Sequence, residues 1–454
     1  MRETVKNKNA DYLEIRVEES HSTRLVFRGP ALDDLSQSID YGGNIRALVN
    51  GGWGFVSFNK LEDLEAKVQQ AITQAQIIGE TRKERSTLAP APVVRDEVRL
   101  ELKKDPCHYA LEEKKAIFED YNKAILAYGG PITTSSVVYI DKFSTIHFAN
   151  SEGTYILQEK LDLSGSISAV ATREGLTQTG RTSFGSSDDF GVALGLESKV
   201  EDACQEAVDL LNAPVVKGGE YTVIVDPKLA GIFAHEAFGH LSEGDNVYEN
   251  KQLQKVMTLG TRFGGDHLTI YDSGLDKGAR GYLKYDDEGV ATERTDLIRD
   301  GILVGRLHSR ETAGKMGEEV TGSARALNYR FPPICRMRNT CIAPGEATFE
   351  DMIKDIKLGL YVLDSYGGQT NGEMFTFSAG KAYMIRDGGL AELVRDVNLT
   401  GNVFTTLKNI DMIGKDFTAF EAAGGCGKGQ QGPLPTSEWA PHLRIQKVVI
   451  GGEG

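Results

Sequence analysis

The segment His235-Glu236-Ala237-Phe238-Gly239-His240 puts two imidazoles and a carboxylate into an otherwise apolar stretch. Burying such groups unpaired costs several kcal/mol per charge, and one divalent cation compensates all three. The chemistry this supports is hydrolysis, with a Lewis-acidic metal on the imidazoles and the carboxylate handling the proton of a water. The bland alternative is an i,i+4 ion pair of Glu236 with His240 beside a packed His235.

Spacing separates the two readings. In a straight α-helix, residues five apart diverge by roughly 140° and cannot share an ion. A metal site therefore predicts either a π-bulge between His235 and His240 or a helix that ends near Gly239, so that His240 turns back. A straight α-helix through Leu241 would contradict it.

The element that must carry these residues announces itself on its N-terminal side. A strand-like run, Tyr221-Thr222-Val223-Ile224-Val225, meets Asp226-Pro227, an N-cap acid followed by the residue best suited to the first helical position. Ile232, Phe233, Ala234, Ala237, Phe238 and Leu241 leave almost no polar face, so the helix belongs inside the protein.

A catalytic zinc takes three protein ligands and keeps one position open. Candidates for the third are Glu243 and Asp245 nearby and, farther away, His267, His308, His442, Cys335, Cys341 and Cys426. Cys426 stands out by its setting: the glycine-rich run from Gly424 to Gly432 can fold tightly enough to present a thiolate, and Lys428 would favour the ionised form. Cys335 and Cys341 read as core, and Cys107-His108 as structural.

At 454 residues the chain exceeds one typical core. A break at Ala213-Pro214 divides it into residues 1–213 and 214–454. The net charge of −14 speaks against general nucleic-acid or anionic-membrane partners. Five scattered cysteines, with no signal-like N-terminus and no membrane-length apolar run, fit a cytoplasmic protein.

The first half reads as short antiparallel strands at 12–17, 24–27, 45–49 and 54–58, then 135–140, 144–149, 154–163 and 165–172. Helices are expected over 61–78, 111–128 and 197–211. Beyond the site, residues 258–285 read as a long glycine-rich loop over a cleft. A strand pair turns at Asp300-Gly301, a short helix covers 349–358, a hairpin joins 374–377 to 382–385, and 442–449 is the last strand. Strands in runs without regular βαβ alternation indicate an α+β fold of largely antiparallel sheets, with the site helix opening the second, β-rich domain.

Four separated motifs occur in order: His235 to His240 followed by Glu243-Gly244-Asp245, Tyr285-Asp286-Asp287-Glu288-Gly289, Gly424 to Gln430, and Val449-Ile450-Gly451-Gly452. With the Glu14-Ile15-Arg16 strand and the Gly52-Trp53-Gly54-Phe55 turn, the chain resembles the TldD/PmbA family of metalloproteases over nearly its whole length, on the side that keeps the HExxxH motif. The resemblance implies zinc held by His235, His240 and Cys426, with Glu236 as the catalytic carboxylate. It also implies cleavage of unfolded peptides or peptide precursors in an enclosed chamber, and pairing with a TldE/PmbA-type paralogue, a homodimer being the other possible assembly. Two imidazoles and a thiolate would suit copper as well as zinc. The thiolate would make a milder Lewis acid than a third imidazole, and turnover slow. An extended substrate strand is expected to pair with an exposed sheet edge near the site. The rival functions are a non-catalytic protein-binding regulator of the gyrase-modulator kind, and a metal-dependent amidase acting on small molecules.

Overall fold

The computed structural model describes residues 1–6, 8–421 and 423–451; Gly452, in the last of the four motifs, lies outside them. The chain is α+β, with strands in several mostly antiparallel sheets.

Residues of the first half form a seven-stranded sheet in the order Gly52–Phe58, Ala31–Val49, Tyr12–Arg28, Ile132–Asn150, Tyr155–Arg173, Arg95–Val98, with Leu176–Ser186 also paired to Tyr155–Arg173. The short strands expected at 12–17 and 24–27 are one strand of 17 residues, and those at 135–140 and 144–149 one of 19. The reason lies in the alternation. Leu13, Ile15 and Val17 face the helix Leu64–Thr81 through Val68, Ala71 and Ile72. The charged positions between them, Glu14, Arg16 and Glu18, are also buried, so a strand that reads as half-solvated is covered on both faces. Helices Leu111–Ala127 and Glu197–Asn212 cover the rest of the apolar face through Phe118, Tyr121 and Val200.

The polar face is covered by the second half of the chain. Arg16 meets Asp287 at 3.2 Å, and Arg46 bridges Glu14 at 2.6 Å and Glu288 at 2.7 Å. Gln158 donates to the Tyr285 carbonyl and accepts from the Tyr285 N–H, both at 3.0 Å. The acidic motif at 285–289 is thus a buried latch.

The second half holds a nine-stranded sheet ordered Gly367–Asn371, Met374–Ser378, Asn398–Asn402, Leu443–Gly451, Gly219–Val225, Leu358–Leu363, Lys381–Arg386, Gly389–Val394, with Ile410–Ile413 branching from Leu443–Gly451. A six-stranded sheet runs Ile302–Leu303, Arg294–Arg299, Ile270–Ser273, Asn339–Ile342, Ser437–Ala440, Thr418–Phe420. One core joins them: Leu229, Phe233 and Phe238 of the site segment pack with Val223, Phe377 and Ile445 of the larger sheet and Ile270, Ile298 and Ile342 of the smaller. The site helix therefore lies between two sheets, and its lack of a polar face follows.

Three expectations change here. Strands Met374–Ser378 and Lys381–Arg386 do not pair with each other; the first pairs with Asn398–Asn402 and the second with Leu358–Leu363. Alternation identifies a strand but not its neighbour. The glycine-rich stretch at 258–285 is not an open loop, since it contributes strand Ile270–Ser273 and buries Phe263, Leu268 and Arg280. The helix expected over 349–358 stops at Ile353, and Leu358 opens a strand. Among the described residues no helix is long and apolar enough to cross a membrane.

Candidate metal centre

Strand Gly219–Val225 lies between Leu358–Leu363, parallel to it, and Leu443–Gly451, antiparallel. It delivers the chain to Asp226, whose Oδ1 accepts from the Leu229 N–H at 2.8 Å and caps the helix that Pro227 begins. The α-helical part, Pro227–Ala234, gives way to a π-turn over His235–Gly239, in which the His240 N–H donates to the His235 carbonyl five residues back. A 3₁₀ turn, His240–Ser242, follows. The extra residue in the turn rotates the second histidine toward the first, and the rings lie 5.3 Å apart at an interplanar angle of 86°. Gly231 and Gly239 permit the close packing. A Cβ on Gly231 would lie 2.8 Å from Glu438 Cβ, and one on Gly239 would lie 2.0 Å from Met337 Sδ.

Cys426 enters from a two-stranded hairpin, Cys426–Lys428 with Gln431–Leu434. Its Sγ is 3.2 Å from His240 Nε2, and one ligand atom each from His235, His240 and Cys426 lie within 4.8 Å of one another. A tetrahedral ion with bonds of about 2.0–2.3 Å holds its donors roughly 3.3–3.8 Å apart, so this donor set fits zinc after small adjustments. Glu236 Oε2 stands 4.0 Å from His240 Nε2. The other candidates are occupied elsewhere: His267 bonds the Ile410 carbonyl, His308 bonds Thr312 and Glu318, and His442 bonds Tyr361 and Asp416. Cys335 and Cys341 are buried away from the cluster, whereas Cys107 is exposed.

Each imidazole has a carboxylate behind it. Glu243, fully buried, reaches His240 Nδ1 at 3.2 Å and also accepts from Asn246 and Lys428 at 3.0 Å. Glu438 Oε1 is 3.1 Å from His235 Nδ1, out of line for a well-formed hydrogen bond, so we read the contact as electrostatic. Glu243 was a ligand candidate by sequence proximity, yet it lies behind His240 rather than beside the thiol. Nothing local marked Glu438, which lies on another strand two hundred residues away.

Burial alone would raise the Cys426 thiol, but hydrogen bonds from His235 and His240, and their charges, bring it down to about 5. The same bonds, with Glu243, outweigh burial at His240 and raise it to about 9. Burial raises the Glu236 carboxyl, against the pull of both imidazoles. Lys428 is not what ionises the thiol, as its position had suggested. Its ammonium goes to Asp245 Oδ1 at 2.6 Å and the Cys335 carbonyl at 3.1 Å.

A cleft of about 580 Å³ opens onto Glu236 and His240, with Asn246, Gly368, Gln369 and Thr370 among its walls. Gly367–Asn371 is an edge strand of the nine-stranded sheet, so a row of backbone groups borders the cleft.

Three family models match the chain: PmbA/TldA metallopeptidase domain 1 over residues 13–75, the central domain over 104–212 and the C-terminal domain over 218–452. A protein of Synechocystis sp. named as a metalloprotease is 46% identical over 98% of this chain and 95% of its own. A zinc metalloprotease TldD homolog of Saccharolobus solfataricus is 30% identical over 92% and 91%. The crystal structure of TldE from Thermococcus kodakarensis superposes with a TM-score of 0.78 over 98% of this chain and 97% of that one, at 21% identity, which establishes the shared fold.

Proposed function

The chain belongs to the TldD/PmbA family of metallopeptidases, and from that premise we propose that it is a zinc peptidase acting on unfolded peptides or peptide precursors. One observation carries the reading: His235, His240 and Cys426 converge to within 4.8 Å with the Glu236 carboxylate beside them. His235, His240 and Cys426 would hold the ion, which supplies Lewis acidity toward a water and the scissile carbonyl. Glu236 accepts the water proton and returns it to the departing amine. Its partial burial helps, because a carboxyl raised toward neutrality is a better proton acceptor. Glu438 and Glu243 orient the two imidazoles.

The substrate enters as an extended strand along Gly367–Asn371, which is why sequence-tolerant recognition is expected. Proline placed at Gly368 and at Gln369 in turn would remove an outward N–H from this edge. One of the two should abolish cleavage with zinc content unchanged, and full activity in both would end the strand-pairing idea. The same reading divides the chain at 213/214, places it in the cytoplasm and pairs it with a TldE/PmbA-type paralogue. Addition of that paralogue should then raise activity on an unfolded peptide.

The deciding experiment uses Glu236→Gln. It should keep about one zinc per chain while losing at least 100-fold in kcat/KM. Undiminished cleavage by this variant would remove Glu236 from the mechanism. Absence of peptide cleavage by the wild-type zinc form, alone and with the paralogue, would favour a binding protein. Hydrolysis confined to small amides would favour the amidase.

A further inference from the structure

We propose that Arg336 is the positioning residue that clamps the Cys426 hairpin in its ligating geometry before a metal arrives; this rests on the zinc reading above. The hairpin needs a clamp. Among the described residues its two short strands pair only with each other, and Gly424, Gly425 and Gly429 all have positive φ. Isolated two-stranded hairpins are marginal in water, and glycine adds conformational freedom that folding must remove.

Arg336 is fully buried beneath it. Nη1 donates to the Gln431 carbonyl at 2.9 Å and Nη2 to the Cys426 carbonyl at 2.5 Å, so one guanidinium spans both strands. A planar fork with two donors fixes a separation and an angle, which a lysine ammonium does not. The neighbouring residues extend the clamp. The Cys335 carbonyl accepts from Lys428 Nζ at 3.1 Å, while Met337 packs against Gly239 of the π-turn so closely that a Cβ there would lie 2.0 Å from its sulfur. Three consecutive residues thus touch both ligand-bearing segments, which are 186 residues apart in sequence. The guanidinium bonds the carbonyl of Cys426 rather than its sulfur, and Arg336 is not among the residues that line the cleft. Its effect runs through the backbone of the ligand.

The test uses cobalt(II) in place of zinc on full-length wild type, Arg336→Lys, Arg336→Met and, as a control, Glu236→Gln. Wild type and the control should show sulfur-to-cobalt charge transfer. Both arginine variants should still bind cobalt through the imidazoles, with far-ultraviolet circular dichroism unchanged. Charge-transfer intensity should fall, and affinity should weaken roughly 10–100-fold, less for lysine than for methionine. Equal intensity and affinity in all four proteins would overturn the proposal. A wild type without the charge-transfer band would instead refute the ligand set. Hydrogen exchange on the metal-free wild type decides the clamp independently, even if the variants do not fold. Amides at the paired positions of the hairpin, Cys426 with Leu434 and Lys428 with Gln431, should be protected without metal, and exchange there at the rate of an open loop would overturn the clamp.

Discussion

Behind each imidazole of the cluster stands a carboxylate, and at His240 the hydrogen bond from Nδ1 to Glu243 leaves Nε2 facing the thiol, while Glu438 acts on His235 through its charge. Removing the support of His235 should therefore show in the metal. Glu438→Ala is expected to weaken zinc affinity about 10–100-fold, measured by competition with a chromophoric chelator, and an unchanged affinity would mean that packing alone orients the ring. A second buried carboxylate makes a statement about pH. Asp272 is buried and pushed up to about 6 by desolvation, despite hydrogen bonds from the Arg338 N–H and Thr340. An acid whose folded value is raised contributes stability that is complete below its unfolded value and lost as pH rises through the folded one. Relative to Asp272→Asn, the wild type should lose about 2 kcal/mol between pH 4 and pH 7. Denaturant titrations of both proteins at the two pH values give that difference; a constant gap would show that the carboxyl is not shifted, and one that widens in favour of the wild type that it is shifted the other way.

The site helix shows where sequence is a sufficient guide to an element and where it is not. Its start was legible because Asp226-Pro227 is a local signal, and the π-turn is one of the two departures from a straight helix that converging histidines five apart require. Its burial was legible from the missing polar face, but its close approach to the neighbouring strand was not, since that depends on Gly231 lying against Glu438 from far along the chain. Gly231→Ala forces those backbones apart and should cost about 1–3 kcal/mol, as overpacking does. Thermal unfolding of the metal-free protein measures this, and an unshifted midpoint would show that the strand gives way freely. The three helices of the first half were legible from apolar periodicity, and their bounds shifted by a few residues at most. Strand partners were not, because period two carries no information about the neighbour, as Met374–Ser378 and Lys381–Arg386 illustrate. Within the site, glycine density marks Cys426, whereas nothing in the sequence marks Arg336, whose role depends on its burial beneath a segment distant in the chain.

Taken as a whole, the molecule is held across its two halves by buried charges, together with one small apolar cluster in which Tyr285 packs on Phe148 and Ile156. Arg46 lies between Glu14 and Glu288, Arg16 meets Asp287, and the Glu288 carboxylate also accepts the Arg310 N–H at 2.8 Å. Glu14, Arg16 and Arg46 alternate with apolar residues along their strands, a pattern that reads as a solvated face and hides the contact from sequence analysis. Breaking a buried pair by removing one partner costs about 3–5 kcal/mol. Glu288→Ala should lose that much in denaturant unfolding, and a loss below 1 kcal/mol would make the latch incidental. The separation of the ligands along the chain has a consequence for biosynthesis. At about 5–20 residues per second, a ribosome that has made His240 needs roughly 10–40 s more to reach the cysteine 186 positions later. A nascent polypeptide that has not yet reached Cys426 therefore carries the imidazoles without the thiol, and the proposed capacity to cut other chains waits on that residue.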